Sequence, residues 1–290
     1  MPVVSVVLAG LLNRSSSMLR QRILTALVLA GLVLAALFWL STREFAVILG
    51  VVVILSAREW ATLSGCESAG QQAYAGGTLL LLMLAWIMRD RPQWFLPILG
   101  LSVLFWSTVS VWLWQQRHDL GAPLEQRLLL VIGIPVLIIP WLAMTVLHAQ
   151  AGPAWVLFLF LIVWVADSGA YFAGRRWGRQ RLAPAISPGK TWEGVYGALM
   201  AGAGLAVIGA FSFGLGLVQG LLFVVLCLLT TMLSITGDLF ESLIKRQRGV
   251  KDSGDLLPGH GGILDRVDSL TAAAPVLVLG WWLLQSGQLT

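Results

Sequence analysis

Residues 215–238 read LGLVQGLLFVVLCLLTTMLSITGD, which is 23 residues without a charge, closed by Asp238. As a helix rising about 1.5 Å per residue, such a run crosses the roughly 30 Å hydrocarbon layer of a bilayer. Working outward, similar charge-poor runs occur at Ile23–Leu40, Phe45–Leu63, Gly76–Met88, Trp94–Trp114, Leu128–Leu147, Pro153–Phe172, Val195–Phe213 and Leu270–Leu284. The reading is an all-α polytopic integral membrane protein with about nine transmembrane helices. The third run is short, and the seventh and eighth are separated by almost nothing. Gly133, Pro135 and Pro140 fall inside one run, which membrane helices tolerate better than soluble ones.

Composition agrees. The 290 residues are 58% hydrophobic and 11% charged, against roughly 25% charged in a soluble domain, and the mean hydropathy is +0.84. A water-soluble surface cannot be covered by so few charges, and disorder requires the opposite composition. The two cysteines, Cys66 and Cys227, form no disulfide framework or metal-ligand pattern.

Short cytoplasmic loops collect Lys and Arg. Nine spans with a cytoplasmic N-terminus put sixteen of the nineteen basic residues inside and leave only Arg43, Arg89 and Arg91 outside. Many of the 14 tryptophans sit near span ends, where amphipathic rings favour the headgroup region. The apolar stretch within Met1–Ser17 is too short to span. Residues 1–17 are read as an extension or a mis-assigned start, with Met18-Leu19-Arg20-Gln21-Arg22 as the natural basic beginning. Residues 18–150 then form an N-terminal membrane region, and residues 151–290 a C-terminal region carrying the cytoplasmic-face loops.

The exceptions to low charge are concentrated. Residues 165–268 hold 18 of the 33 charges, and residues 269–290 hold none. Asp167 and Asp238 each end a long apolar run, and a carboxylate at membrane depth costs a few kcal/mol unless paired or hydrated. Helix capping is the bland alternative for Asp167, beside Ser168 and Gly169. For Asp238 that alternative is weaker, because Glu241 lies one turn on and Asp265 and Asp268 repeat the spacing. Acids flanked by Lys and Arg suggest a hard cation facing phosphates, since Mg²⁺ takes one or two carboxylates plus phosphate oxygens and water. His118, His148 and His260 are too scattered for a transition-metal set.

Other segments carry two readings each. Pro258-Gly259-His260-Gly261-Gly262 is either a turn or a backbone cradle for an anion, with His260 structural or an acid–base group. Ser187-Pro188-Gly189-Lys190-Thr191 is not a Walker loop. The arginines at 175–181 reflect positive-inside bias or contact a lipid headgroup or nucleotide. A net charge of +5, tied to loops, argues against a nucleic-acid partner.

The string from Ser242-Leu243-Ile244-Lys245-Arg246 through Lys251-Asp252 to His260-Gly261-Gly262-Ile263-Leu264-Asp265-Arg266-Val267-Asp268 resembles the signature of phosphatidate cytidylyltransferases. Ala166–Tyr171 and Ser187–Gly194 resemble the same family, and the specific likeness covers about Trp164–Pro275. The resemblance implies the reaction CTP + phosphatidate → CDP-diacylglycerol + diphosphate, on the cytoplasmic face of a bacterial inner membrane. It also implies Mg²⁺, with a second and different cation as an option, held by Asp238 and Asp265, and a homodimer. Asp238, Asp265, Lys190 and Asp268 are then the catalytic candidates. Substrate contacts fall to Ser187, Lys190, Thr191, Lys245, Arg246, Lys251, His260, Gly261, Gly262 and Arg266. Asp167, Ser168, Glu193, Glu241, Ser242 and Asp252 complete a polar cavity. The rivals are a CTP-dependent polyprenol or phytol kinase and, from another class, a cation-coupled transporter. Transport would favour polar residues in both halves and an internal repeat, and neither is present.

Overall fold

The computed structural model describes residues 31–256 and 261–286. Helix α1 takes in residues 31–39. It is followed by α2 (Thr42–Leu63), α3 (Ser68–Met88), α4 (Pro92–Gln116), α5 (Gln126–Gln150) and α6 (Pro153–Trp177). A two-stranded antiparallel hairpin, β1 (Arg181–Ala183) and β2 (Ser187–Thr191), precedes α7 (Trp192–Ser212), α8 (Leu217–Gln247) and α9 (Leu264–Ser286).

Among the described residues, eight helices, α2 to α9, are long and apolar enough to cross a membrane. The chain is an all-α multi-pass membrane protein. Part of the expected Ile23–Leu40 span, the proposed start at Met18 and the 1–17 extension lie outside the described residues. Three differences from the sequence reading have physical causes. The short Gly76–Met88 run lengthens to Ser68–Met88, because Ser68, Gln71 and Gln72 continue a helix that apolarity alone does not mark. Residues 213–216 separate α7 from α8, with Gly214 at φ +66° and Phe213 stacked on Trp155 at 3.9 Å. The hairpin was missed because five residues reading SPGKT show no apolar alternation.

Helix α8 has 31 residues, about 46 Å at helical rise. That is longer than the roughly 30 Å hydrocarbon layer of a bilayer. Asp238 lies about 32 Å along it from its first residue. The α6–α7 crossing is close: a Cβ at Gly169 would stand 2.6 Å from the Gly197 carbonyl oxygen, the small-residue contact that lets membrane helices approach. At Gly237, a Cβ would come within 2.5 Å of the Asp268 carbonyl oxygen. That contact brings the two acid patches together although 27 residues separate Asp238 from Asp265.

Hydrogen bonds to backbone carbonyls gather the loops at one end of the bundle. Ala185 N–H donates to the Arg117 carbonyl at 3.2 Å, Gln247 Nε2 to Leu120 O at 2.7 Å, and Arg248 Nη2 to Ser64 O at 3.1 Å. The opposite end is fastened by His148, whose Nδ1 lies 2.9 Å from Thr42 Oγ1 and whose Nε2 lies 3.1 Å from Leu37 O.

Candidate active site

Helices α6, α7 and α8 and the hairpin enclose a cavity of about 520 Å³. Its wall includes Asp167, Tyr171 and Arg175 from α6, Arg181, Lys190 and Thr191 from the hairpin, and Asp238 from α8. Lys190 Nζ donates to Asp238 Oδ2 at 2.6 Å, and Ser242 Oγ donates to Asp238 Oδ1 at 3.3 Å. The pair keeps about three-tenths of its side-chain surface open (28% for Lys190, 30% for Asp238). Arg175 is aimed by Tyr171, whose hydroxyl accepts from Nη1 at 2.6 Å. Thr191 caps α7 by accepting from Gly194 N–H at 3.1 Å, so the strand carrying Lys190 is pinned where the helix begins.

A second cluster lies farther along α8. Lys245 pairs with Glu241 at 3.1 Å and with Asp265 Oδ1. This group is much more enclosed, at 11% exposure for Lys245, 3% for Glu241 and 6% for Asp265. Asp265 Oδ2 also accepts from the backbone N–H groups of Ser253 and Gly262, each at 2.9 Å. Asp268 stands between the clusters, within electrostatic reach of Asp238, Lys190 and Lys245. Asp167 is within reach of Asp238 and Lys190.

The fold thus brings together Asp167, Lys190, Asp238, Glu241, Ser242, Lys245, Asp265 and Asp268. Gly261 sits over Asp265 with φ +80°, and a Cβ there would stand 2.9 Å from Oδ2. Arg246, Lys251, Asp252 and Arg266 are exposed at the loop end. Two candidates are turned elsewhere: Ser168 Oγ donates to Trp164 O at 2.8 Å, and Glu193 accepts from Gln180 N–H at 3.3 Å. Ser187 pairs with Ala183 in the hairpin register. His260 lies outside the described residues.

Sequence reasoning passed over Glu59 of α2. Its carboxylate accepts from Ser253 Oγ at 2.9 Å, Ile263 N–H at 3.0 Å and Leu264 N–H at 2.8 Å. The signal was present, since Glu59 is an acid inside an apolar span. The sequence reading ran the span from Phe45 to Leu63 straight through it and gave it no role.

For a metal, the donor chemistry fits. Asp238 and Asp265 offer hard oxygens, and five carboxylates (Asp167, Asp238, Glu241, Asp265, Asp268) face two lysines. No group of three or more His, Cys, Asp or Glu side chains among the described residues is arranged to hold an ion. Mg²⁺ takes one or two carboxylates when phosphates supply the remaining oxygens.

Fold and site define a multi-pass membrane protein that gathers lysine, arginine and carboxylate side chains in a cavity at one end of a helical bundle. The sequence model of the cytidylyltransferase family matches residues 20–284, and the chain belongs to that family. A phosphatidate cytidylyltransferase of Pseudomonas aeruginosa is 41% identical over 267 residues, covering 91% of this chain and 97% of that protein. Those of Haemophilus influenzae and Brucella suis are each 36% identical, covering 89% and 91% of this chain and 96% and 93% of theirs.

Proposed function

We propose that this chain transfers the cytidylyl group of CTP to phosphatidate, giving CDP-diacylglycerol and diphosphate in phospholipid biosynthesis. The observation that carries the reading is the open Lys190–Asp238 pair in a cavity shared with Arg175 and Arg181. Near-full-length likeness to proteins named for that activity supports it. Exposed Phe172, Trp177 and Tyr196 on α6 and α7 form an apolar exterior suited to the acyl chains, while the headgroup enters the polar interior.

A phosphate oxygen of phosphatidate attacks the α-phosphorus of CTP in line. The bond from the α-phosphorus to its bridging oxygen breaks, and diphosphate leaves with that electron pair. The attacking oxygen is already anionic, so no strong general base is required. Lys190, Arg175 and Arg181 orient and neutralise phosphate oxygens, and Lys245, Arg246 and Lys251 serve the triphosphate and the leaving group. Glu241 and Asp268 stand behind Lys245 and Asp238 as supporting anions. Asp238 and Asp265 are the residues that would hold Mg²⁺, which neutralises phosphate charge when bound.

The loop end that holds the site is assigned to the cytoplasm, in a bacterial inner membrane, with the N-terminus on the same side. Thirteen of the sixteen described basic residues lie toward this end, against Arg43, Arg89 and Arg91 at the other. The homodimer implied by the resemblance is checked by the mass of the detergent-solubilised protein.

One assay tests the function, with purified protein, labelled CTP, phosphatidate and Mg²⁺. Diphosphate release with formation of a CDP-lipid is the expected result. CDP release with a polyprenol acceptor would make the chain a kinase. Cation-dependent uptake into vesicles without turnover would make it a transporter.

A further inference from the structure

We infer that Glu59, on α2 in the N-terminal half, is a positioning residue for the reaction, acting through the loop that carries Asp265; the inference rests on the function proposed above. Its carboxylate receives three hydrogen bonds from two points of the loop, Ser253 on the way out of α8 and Ile263–Leu264 at the start of α9. Asp265 receives two more, from Ser253 N–H and Gly262 N–H. Two carboxylates from different helices therefore share Ser253 and close the same loop. The described parts of the loop pack closely around Glu59. A Cβ at Gly254 would stand 2.7 Å from Glu59 Oε1, and one at Gly262 would lie 2.5 Å from Oε2 while overlapping Ser253 Oγ.

The chemistry favours a carboxylate at this place. The first N–H groups of a helix have no partner within the helix and carry partial positive charge. Ile263 and Leu264 stand at the start of α9, and Asp265 is the next residue. Glu59 caps this end from outside and thereby sets the direction in which Asp265 leaves the backbone. Lys245, paired to Asp265, is held by the same arrangement. Glu59 touches neither partner directly, so its effect reaches the reaction through the placement of Asp265 and Lys245.

The test compares wild type with Glu59→Ala, Glu59→Gln and Ser253→Ala, using steady-state kinetics at saturating Mg²⁺ and hydrogen exchange over residues 261–266. Wild-type formation of CDP-lipid separately tests the function, whatever the variants do. A positioning role predicts that Glu59→Ala lowers kcat about 100-fold, the scale of misplacing a reactive group by about 1 Å. The KM values for CTP and phosphatidate stay unchanged, and exchange at 261–266 rises. Glu59→Gln keeps the shape and one acceptor oxygen and retains more activity than Ala. Faster exchange with unchanged kcat would reduce Glu59 to a structural cap and overturn the inference. So would a rise in KM at constant kcat, which marks lost ground-state binding instead. If Glu59→Ala does not fold, Ser253→Ala decides by the same criteria, because it removes one Glu59 contact and leaves the carboxylate in place.

Discussion

The two lysine–carboxylate groups of the site are built from the same residue types and behave as opposites. Lys190–Asp238 joins a hairpin to a helix and remains about three-tenths open. Lys245 with Glu241 and Asp265 is nearly closed off, and Asp265 is tied further to two backbone N–H groups. An open pair can exchange partners, so a phosphate can take the lysine while the carboxylate turns to a cation. A closed group resists exchange, because every partner lost leaves a buried charge uncompensated. The difference separates a pair that can exchange partners cheaply from a group that holds its geometry.

Lys245→Met should show the largest effect. It strands Glu241 and Asp265, costs about 3–5 kcal/mol of stability, and abolishes CDP-lipid formation; thermal melting in detergent and the turnover assay read both. Asp265→Asn should also abolish turnover, at a smaller cost of about 1–3 kcal/mol, because Lys245 keeps Glu241. An active Asp265→Asn enzyme would remove Asp265 from the site. Lys190→Ala should lower kcat/KM about 100- to 1,000-fold while stability shifts by no more than about 1 kcal/mol. Equal destabilisation by the two lysine substitutions would break the distinction between open pair and closed group. The smallest effect belongs to the far end of the bundle. Thr42→Val removes the contact to His148 and should cost about 1 kcal/mol with turnover unchanged, which bounds how far packing alone influences the site.

Much of this was legible in the chain. The apolar runs follow from the bilayer's thickness, so the helices from Thr42 onward were readable without a partner in view. Asp238 stood out because it ends a run of 23 uncharged residues, whereas Asp265 and Lys190 gained their roles from the motifs that resemble the family. Pairing was not legible. Whether Lys190 faces Asp238 or Asp167 depends on how β2 lies across α8, and no local pattern encodes that. Glu193 and Ser168 show the converse: each sits in a motif that resembles the family, yet each is used to fasten local backbone. The partners of Glu59 lie 194 to 205 residues away, so its role emerges only from the folded chain.

That separation has a consequence for how the protein is made. At about 5–20 residues per second, ribosomes need roughly 10–40 s to synthesise the stretch between Glu59 and its last partner. Through that interval α2 is already made while the groups that will satisfy its acid do not yet exist. The side chain must wait in water, and its place one turn from the end of α2 keeps it near the aqueous boundary. Insertion of α9 is then the event that brings Ile263 and Leu264 to the waiting carboxylate, so a nascent chain that stops short of α9 carries Glu59 without these partners.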